Sequence, residues 1–145
     1  MEIGSITSED RVVIVADSNT WADFFNGSDS SFVKRLDHAL VEEEDLAVLP
    51  IIVTEVLQGF RTESGFRQAR DVLTAMPVIQ PDLECHVRAA RLFRHLRSRG
   101  VTVRGAVDCV IAQVCIDSGS QLLSPDSDFR HIAKYSELAL WPDDG

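Results

Sequence analysis

Val12-Val13-Ile14-Val15-Ala16-Asp17 is a β-branched, apolar run that ends in a carboxylate. With polar neighbours on both sides, it predicts a buried strand over Arg11–Asp17. Its last residue is out of place by ordinary rules. An ionised carboxylate in apolar surroundings must be neutralised by a proton, a cation or a metal. Three further stretches repeat the conflict: Ile51-Ile52-Val53-Thr54-Glu55-Val56-Leu57, Ala106-Val107-Asp108-Cys109-Val110-Ile111-Ala112 and Leu122-Leu123-Ser124-Pro125-Asp126-Ser127-Asp128-Phe129. Four such placements point to a shared acidic pocket, and the simplest occupant is a hard divalent cation such as Mg²⁺ or Mn²⁺.

Outward from that first strand, strands and helices alternate. A short helix or turn is expected over residues 20–26, ending near Asn26-Gly27, then a helix over Phe32–Glu43 with Phe32, Leu36 and Leu40 on one stripe. Asp45–Leu49 suits a second short strand, and Pro50 opens a helix through Phe60. A helix over Gly65–Ala75, a short strand at Met76-Pro77-Val78-Ile79 and a helix from Pro81 to near Gly100 follow. Arg104–Ser118 reads as an amphipathic helix closed by Gly119. Gln121–Ser124 is expected as a strand, Asp128–Tyr135 as a helix and Leu138–Trp141 as a terminal strand. Such alternation implies an α/β sandwich around a parallel sheet. Sites in such sheets form outside the carboxyl ends of the strands, so Asp17 and Asp126 should project into that crevice.

The chain has 145 residues, 45% of them hydrophobic and 26% charged, which suits one soluble globular domain over residues 11–145. Residues 1–10 read as a polar leader. Its acidic start lacks the basic and apolar stretches of a secretory signal, and no apolar run approaches the roughly 18 residues of a membrane span. A cytoplasmic protein with no membrane contact is expected. Cys85, Cys109 and Cys115 cannot all pair within the chain and form no CxxC, so buried free thiols are expected. His38, His86, His95 and His131 lack zinc-enzyme spacing and read as surface or half-buried side chains.

The formal net charge is −9, yet nine of the 14 basic residues, all arginine, fall between Arg61 and Arg104. Arg88, Arg91, Arg94, Arg97, Arg99 and Arg104 are densest. They suit either a solvated helix face or a phosphate-binding strip.

Each acidic residue also has a plainer reading. Asp17 can simply cap the following helix, and Asp126 and Asp128 can serve as turn and cap residues. Glu55 shares a helical face with Ile51 and Ile52, and Asp108 shares one with Ile111, Ala112 and Cys115, so these two are harder to explain away. An arginine partner is the remaining option, with Arg104 one turn before Asp108. Clustered carboxylates holding one or two divalent ions can clamp a phosphodiester for in-line attack by water, with no serine, cysteine or histidine nucleophile. Ser18, Asn19 and Thr20 beside the first carboxylate, and Ser124 beside the last, suit the orientation of waters or a phosphate.

In this order, the motifs resemble those of the PIN-domain ribonucleases, most closely the VapC-type toxins of bacterial toxin–antitoxin pairs. Ile14-Val15-Ala16-Asp17-Ser18-Asn19-Thr20-Trp21-Ala22-Asp23-Phe24-Phe25 is similar to the family's first acidic motif. Thr54-Glu55-Val56-Leu57-Gln58-Gly59 resembles the second, Val103 to Ala112 the third and Leu122 to Phe129 the last. The resemblance covers about residues 11–141. It implies a PIN-like three-layer α/β/α sandwich with a mostly parallel central sheet. It also implies Mg²⁺- or Mn²⁺-dependent endonucleolytic cleavage of RNA, commonly transfer RNA, with ribosomal RNA in some members. Asp17, Glu55, Asp108 and Asp126 are then the catalytic and metal-binding set, with Asp128 a further ligand. Ser18, Asn19, Arg104 and Ser124 are supporting or phosphate-binding residues. No core acidic position is missing. The ten-residue leader departs from the family's habit of starting its first strand almost at the initiator Met. Homodimerisation and a cognate antitoxin that places a basic residue near the acidic pocket are implied as well. Trp21, Phe24 and Phe25 suit that groove, the dimer face or ordinary core packing.

A non-catalytic RNA- or protein-binding module on the same fold is the alternative, and saturable Mn²⁺ binding discriminates against it. A phosphatase of the haloacid dehalogenase type wants DxDxT where this chain has Asp17-Ser18-Asn19-Thr20. A phospho-acceptor receiver domain wants an early acidic pair and a late lysine that are not in place.

Overall fold

The computed structural model describes residues 11–142, so the leader expected over residues 1–10 lies outside the described residues. The first strand, β1 (Ile14–Ala16), is shorter than the apolar run that signals it. Arg11 and Val12 are exposed before it, and paired register begins at Ile14. The elements that follow are α1 (Ser18–Phe25), α2 (Ser31–Val41), β2 (Leu46–Ala47), α3 (Pro50–Leu57), α4 (Glu63–Leu73), α5 (Leu83–Ser98), α6 (Ala106–Ser118), β3 (Gln121–Leu123), α7 (Ser127–Lys134) and β4 (Ala139–Leu140).

The sheet has the order β2-β1-β3-β4 and every pairing is parallel. Ile14 stands opposite Leu46 on one side and Gln121 on the other. Parallel strands need helical crossovers, and these cover both faces of the sheet to make a three-layer α/β/α sandwich. Ile14, Val15, Ala16, Leu122 and Leu123 are accordingly all buried. The chain leaves β1 toward β2 on one side and returns to β3 on the other. The carboxyl ends of β1 and β3 therefore flank the point where the strand order reverses, which is where α/β sheets hold ligands.

Met76–Ile79, expected as a strand, makes a single parallel bridge between Val48 and Val78. Val48 N–H donates to Pro77 O and Ile79 N–H to Val48 O, both at 2.9 Å. Pro77 has no N–H to extend the ladder. Arg104 stands outside α6, because the extended Gly105 is the cap and the helix starts at Ala106. Gly119 closes α6 in the left-handed region, at φ 66°, which glycine adopts without steric cost.

One apolar core runs through the sandwich, from Ile14 and Leu36 to Leu96, Leu123 and Ile132. Trp21 is wholly buried in it, stacked on Phe25, while Phe24 and Phe25 are half-buried against it. Trp21 is therefore a packing residue and lines no open groove or dimer face. All three cysteines are buried free thiols, and all four histidines are exposed. Among the described residues, no helix is long and apolar enough to cross a membrane.

Candidate metal centre and active site

β1 ends on Ala16, and the next residue, Asp17, caps α1. One of its oxygens, Oδ1, accepts from the Thr20 backbone N–H at 3.0 Å and from the Thr20 hydroxyl at 3.1 Å. The other, Oδ2, accepts from the Ser124 hydroxyl. The capping reading and the site reading of Asp17 are thus compatible, since an ionised carboxylate has lone pairs beyond those three contacts. Asp17 is only 3% exposed. Burial pushes its carboxyl above the ordinary range, with the nearby Asp126 adding to the rise, while the bonds from Ser124 and Thr20 oppose it.

Ser124 follows β3 and joins the two halves of the site. Its hydroxyl donates to Asp17 and accepts from the Asp126 backbone N–H at 3.1 Å. With both partners internal and the residue buried, Ser124 orients carboxylates and does not reach out to a phosphate. Thr20 likewise faces inward, its hydroxyl also 2.9 Å from the Leu123 carbonyl. Asp126 caps α7, with its Oδ1 accepting from the Asp128 N–H at 2.9 Å. Asp128 occupies the first turn of that helix.

Asp17, Glu55, Asp108 and Asp126 line one cavity of about 330 Å³ at the carboxyl ends of β1 and β3. Ser18, Asn19 and Arg104 line it too, with Gly105, Val107, Ile111 and Phe129 completing the wall. Glu55 comes from α3 and Asp108 from the first turn of α6, both half-buried. One oxygen each from Asp108, Asp126 and Asp128 lies within 4.8 Å of the other two. Two ligands facing each other across an ion at 2.0–2.1 Å stand about 4 Å apart, so small side-chain rotations would close this triad on one ion.

Two further features fit a cation. Asp128 Oδ2 is buried without a hydrogen-bond partner among the described residues. The Arg104 Nε stands 3.9 Å from it, beyond hydrogen-bond range, on a side chain that is 87% exposed. Asp108 is pushed up to about 6, by desolvation first and then by the charges of Asp126, Asp128, Glu55 and Asp17. A carboxylate surrounded by four others is held in a state that an added cation relieves. Arg104 therefore faces Asp128 and not Asp108, because Gly105 breaks the helical register that would place it one turn before Asp108.

All three members of the triad were among the residues that the sequence singled out, but the apolar wall was not. The packing of α6 against α7 brings Ile111 and Phe129 to the cavity wall. The arginines largely fill ordinary roles. Arg88 is paired with Asp117, Arg97 lies over the Phe93 ring and Arg99 over the Tyr135 ring. Arg88, Arg91, Arg94 and Arg97 all fall on α5, whose packing against α6 leaves them exposed.

The sequence profile of the PIN domain matches residues 14–135. Among curated proteins, the VapC ribonuclease Mb1587 of Mycobacterium bovis is 28% identical over 128 residues, which are 87% of this chain and 96% of that protein. Ribonuclease VapC11 of Mycobacterium tuberculosis matches with the same identity and coverage. Among solved structures, VapBC2 from Rickettsia felis, bound to a promoter DNA fragment, superposes with a TM-score of 0.72 at 16% identity, over 89% of this chain and 97% of that one. The sarcin–ricin loop cleaving toxin VapC20 of Mycobacterium tuberculosis superposes with a TM-score of 0.64 at 17% identity, over 87% and 98%.

Proposed function

The chain belongs to the PIN-domain family, and from that premise we propose that it is a Mg²⁺- or Mn²⁺-dependent endoribonuclease, the cytoplasmic toxin of a toxin–antitoxin pair. Its substrate is a structured RNA, with transfer RNA the first candidate and ribosomal RNA the second. The observation that carries this reading is the convergence of Asp17, Glu55, Asp108 and Asp126 on one cavity, with an oxygen of Asp128 within 4.8 Å of oxygens of Asp108 and Asp126. The names of the curated relatives support RNA as substrate. The complexes among the structural neighbours support a cognate antitoxin, and we infer a homodimer as its binding form.

Asp108, Asp126 and Asp128 would hold the ion, with Asp17 and Glu55 completing its surroundings. When bound, it supplies a water of lowered pKa as nucleophile and neutralises charge on the scissile phosphate. The protein's own residues do the positioning. Thr20 and Ser124 fix both oxygens of Asp17, so that it cannot rotate out of the site. The Ser124–Asp126 bond ties the second carboxylate to the first. Ser18 and Asn19, in the first turn of α1, stand at the rim where a phosphate enters. Arg104 at the mouth offers a solvated guanidinium to the RNA backbone.

The test is mapping of cleavage ends in total RNA after brief induction, wild type beside Asp17→Asn. Discrete ends present in wild type and absent from the variant are expected. Ends that persist in the variant, or a wild type that cuts nothing and binds no Mn²⁺ in calorimetry, would overturn the proposal in favour of a non-catalytic binding module.

A further inference from the structure

A second groove of about 750 Å³ opens beside the acidic cavity. Ser124 after β3 and Trp141 after β4 place it at the same carboxyl edge of the sheet. Its charges are opposite to those of its neighbour. Arg130 and Lys134 of α7 line it, and no acidic side chain does among the described residues. Both are exposed, and neither is in an ion pair among the described residues. Phe32 and Trp141 line the same groove as a half-buried edge-to-face pair, 5.4 Å between ring centres.

From this we propose that the groove is the subsite for the single-stranded RNA segment next to the scissile phosphate, with Arg130 and Lys134 on its backbone and Trp141 against a base. The proposal rests on the ribonuclease reading above. Helix α7 sets the spacing. Asp126 caps it at the acidic cavity, and Arg130 and Lys134 follow four and eight residues later, about 6 and 12 Å along the helix axis. The cations are thus one and two turns from Asp126. Cations along a groove with an aromatic ring in its wall are the recognition chemistry of unpaired nucleotides. In a chain of net charge −9, two exposed cations outside any ion pair among the described residues, Lys134 lying over the Tyr135 ring at 5.5 Å, stand beside a carboxylate cluster and give an RNA strand a favourable path to a site that otherwise repels it.

The test uses the Asp17→Asn protein, so that RNA is bound without being cut, and a fluorescein-labelled oligouridylate as probe. Anisotropy titrations across a salt series compare it with the same protein carrying Arg130→Gln and Lys134→Gln, both at exposed positions. Each lost phosphate contact lowers the slope of log K against log salt by about 0.7 on a single strand, so the slope should shrink by about 1.4. Bound oligouridylate should also quench Trp141 emission, while Trp21 is buried beyond its reach. Equal slopes and equal affinities would overturn the subsite. Loss of antitoxin binding with RNA binding intact would also overturn it, by making the groove a protein-docking surface. If wild type cleaves total RNA and binds Mn²⁺ while the slope is unchanged, only the subsite falls. If wild type does neither, the ribonuclease reading falls and takes the subsite with it.

Discussion

Asp108 is where the cost of the site is concentrated. It sits one turn before the buried Ile111 and Ala112 and faces four other carboxylates. Its carboxyl is raised from 3.8 to about 6, so the folded protein binds that proton more tightly than the unfolded chain does. As pH rises from below 4 through about 6, ionisation therefore favours the unfolded state, and the penalty is fully present above 6. Without divalent ions, Asp108→Asn should raise the melting temperature at pH 7.5 by a few degrees. That corresponds to on the order of 1 kcal/mol once the group's partial exposure is allowed for. Below pH 4 the difference should vanish, and a variant less stable than wild type at pH 7.5 would contradict the repulsion. This conflict was readable in the sequence, as a carboxylate on an apolar helical face. The placing of Arg104 beside Asp128 was not. Arg104 stands four residues before Asp108, but whether that spacing is helical depends on the extended backbone of Gly105, which local pattern does not reveal.

Short strands feeding directly into capped helices hold the carboxylates in place. Asp17 links β1 to α1 and Asp126 leads from β3 into α7, with the Ser124 hydroxyl spanning the two junctions. Ser124→Ala leaves Asp17 buried with one donor fewer and the Asp126 N–H unpaired. It should cost about 1–3 kcal/mol in denaturant unfolding near neutral pH. Losing a bond that lowers the Asp17 carboxyl should also shift the pH profile of RNA cleavage to the alkaline side. An unchanged profile would show that Ser124 only packs. At the other end of α6, Gly119→Ala should cost about 1 kcal/mol through its left-handed backbone, with Mn²⁺ affinity unchanged. The order of strands and helices was legible because apolar runs, prolines and Gly119 punctuate the chain. Strand lengths were not. Paired register with β2 and β3 begins only at Ile14, so β1 is Ile14–Ala16, although the apolar run begins at Val12. Nor was the inward turn of Ser124, since a hydroxyl after a strand looks the same whether it meets solvent or a carboxylate.

Across the whole molecule, charge is separated more than the net value of −9 suggests. Acidic groups from α1, α3, α6 and α7 meet at one edge of the sheet, and the half of α7 beyond them carries Arg130 and Lys134. A fold that gathers carboxylates in this way has part of its stability tied to whatever neutralises them. A ligand that binds only the folded state stabilises it by RT ln(1 + [L]/Kd), about 2.7 kcal/mol at a hundredfold excess over Kd. Mn²⁺ should therefore raise the melting temperature of the wild-type protein, and chelation should reverse the rise. The same addition should leave an Asp108→Asn, Asp126→Asn double variant nearly unmoved, because two of the three converging oxygens are gone. Proton competition sets the pH dependence. Asp108 must ionise to bind, so the Mn²⁺-induced shift should be larger at pH 7.5 than at pH 5, where most of that carboxyl is protonated, and binding below pH 6 should release a proton. A shift independent of pH, or one retained in the double variant, would place the ion away from these carboxylates. The pH series thus separates binding at this centre from diffuse screening of an acidic surface, since screening has no reason to switch on near pH 6.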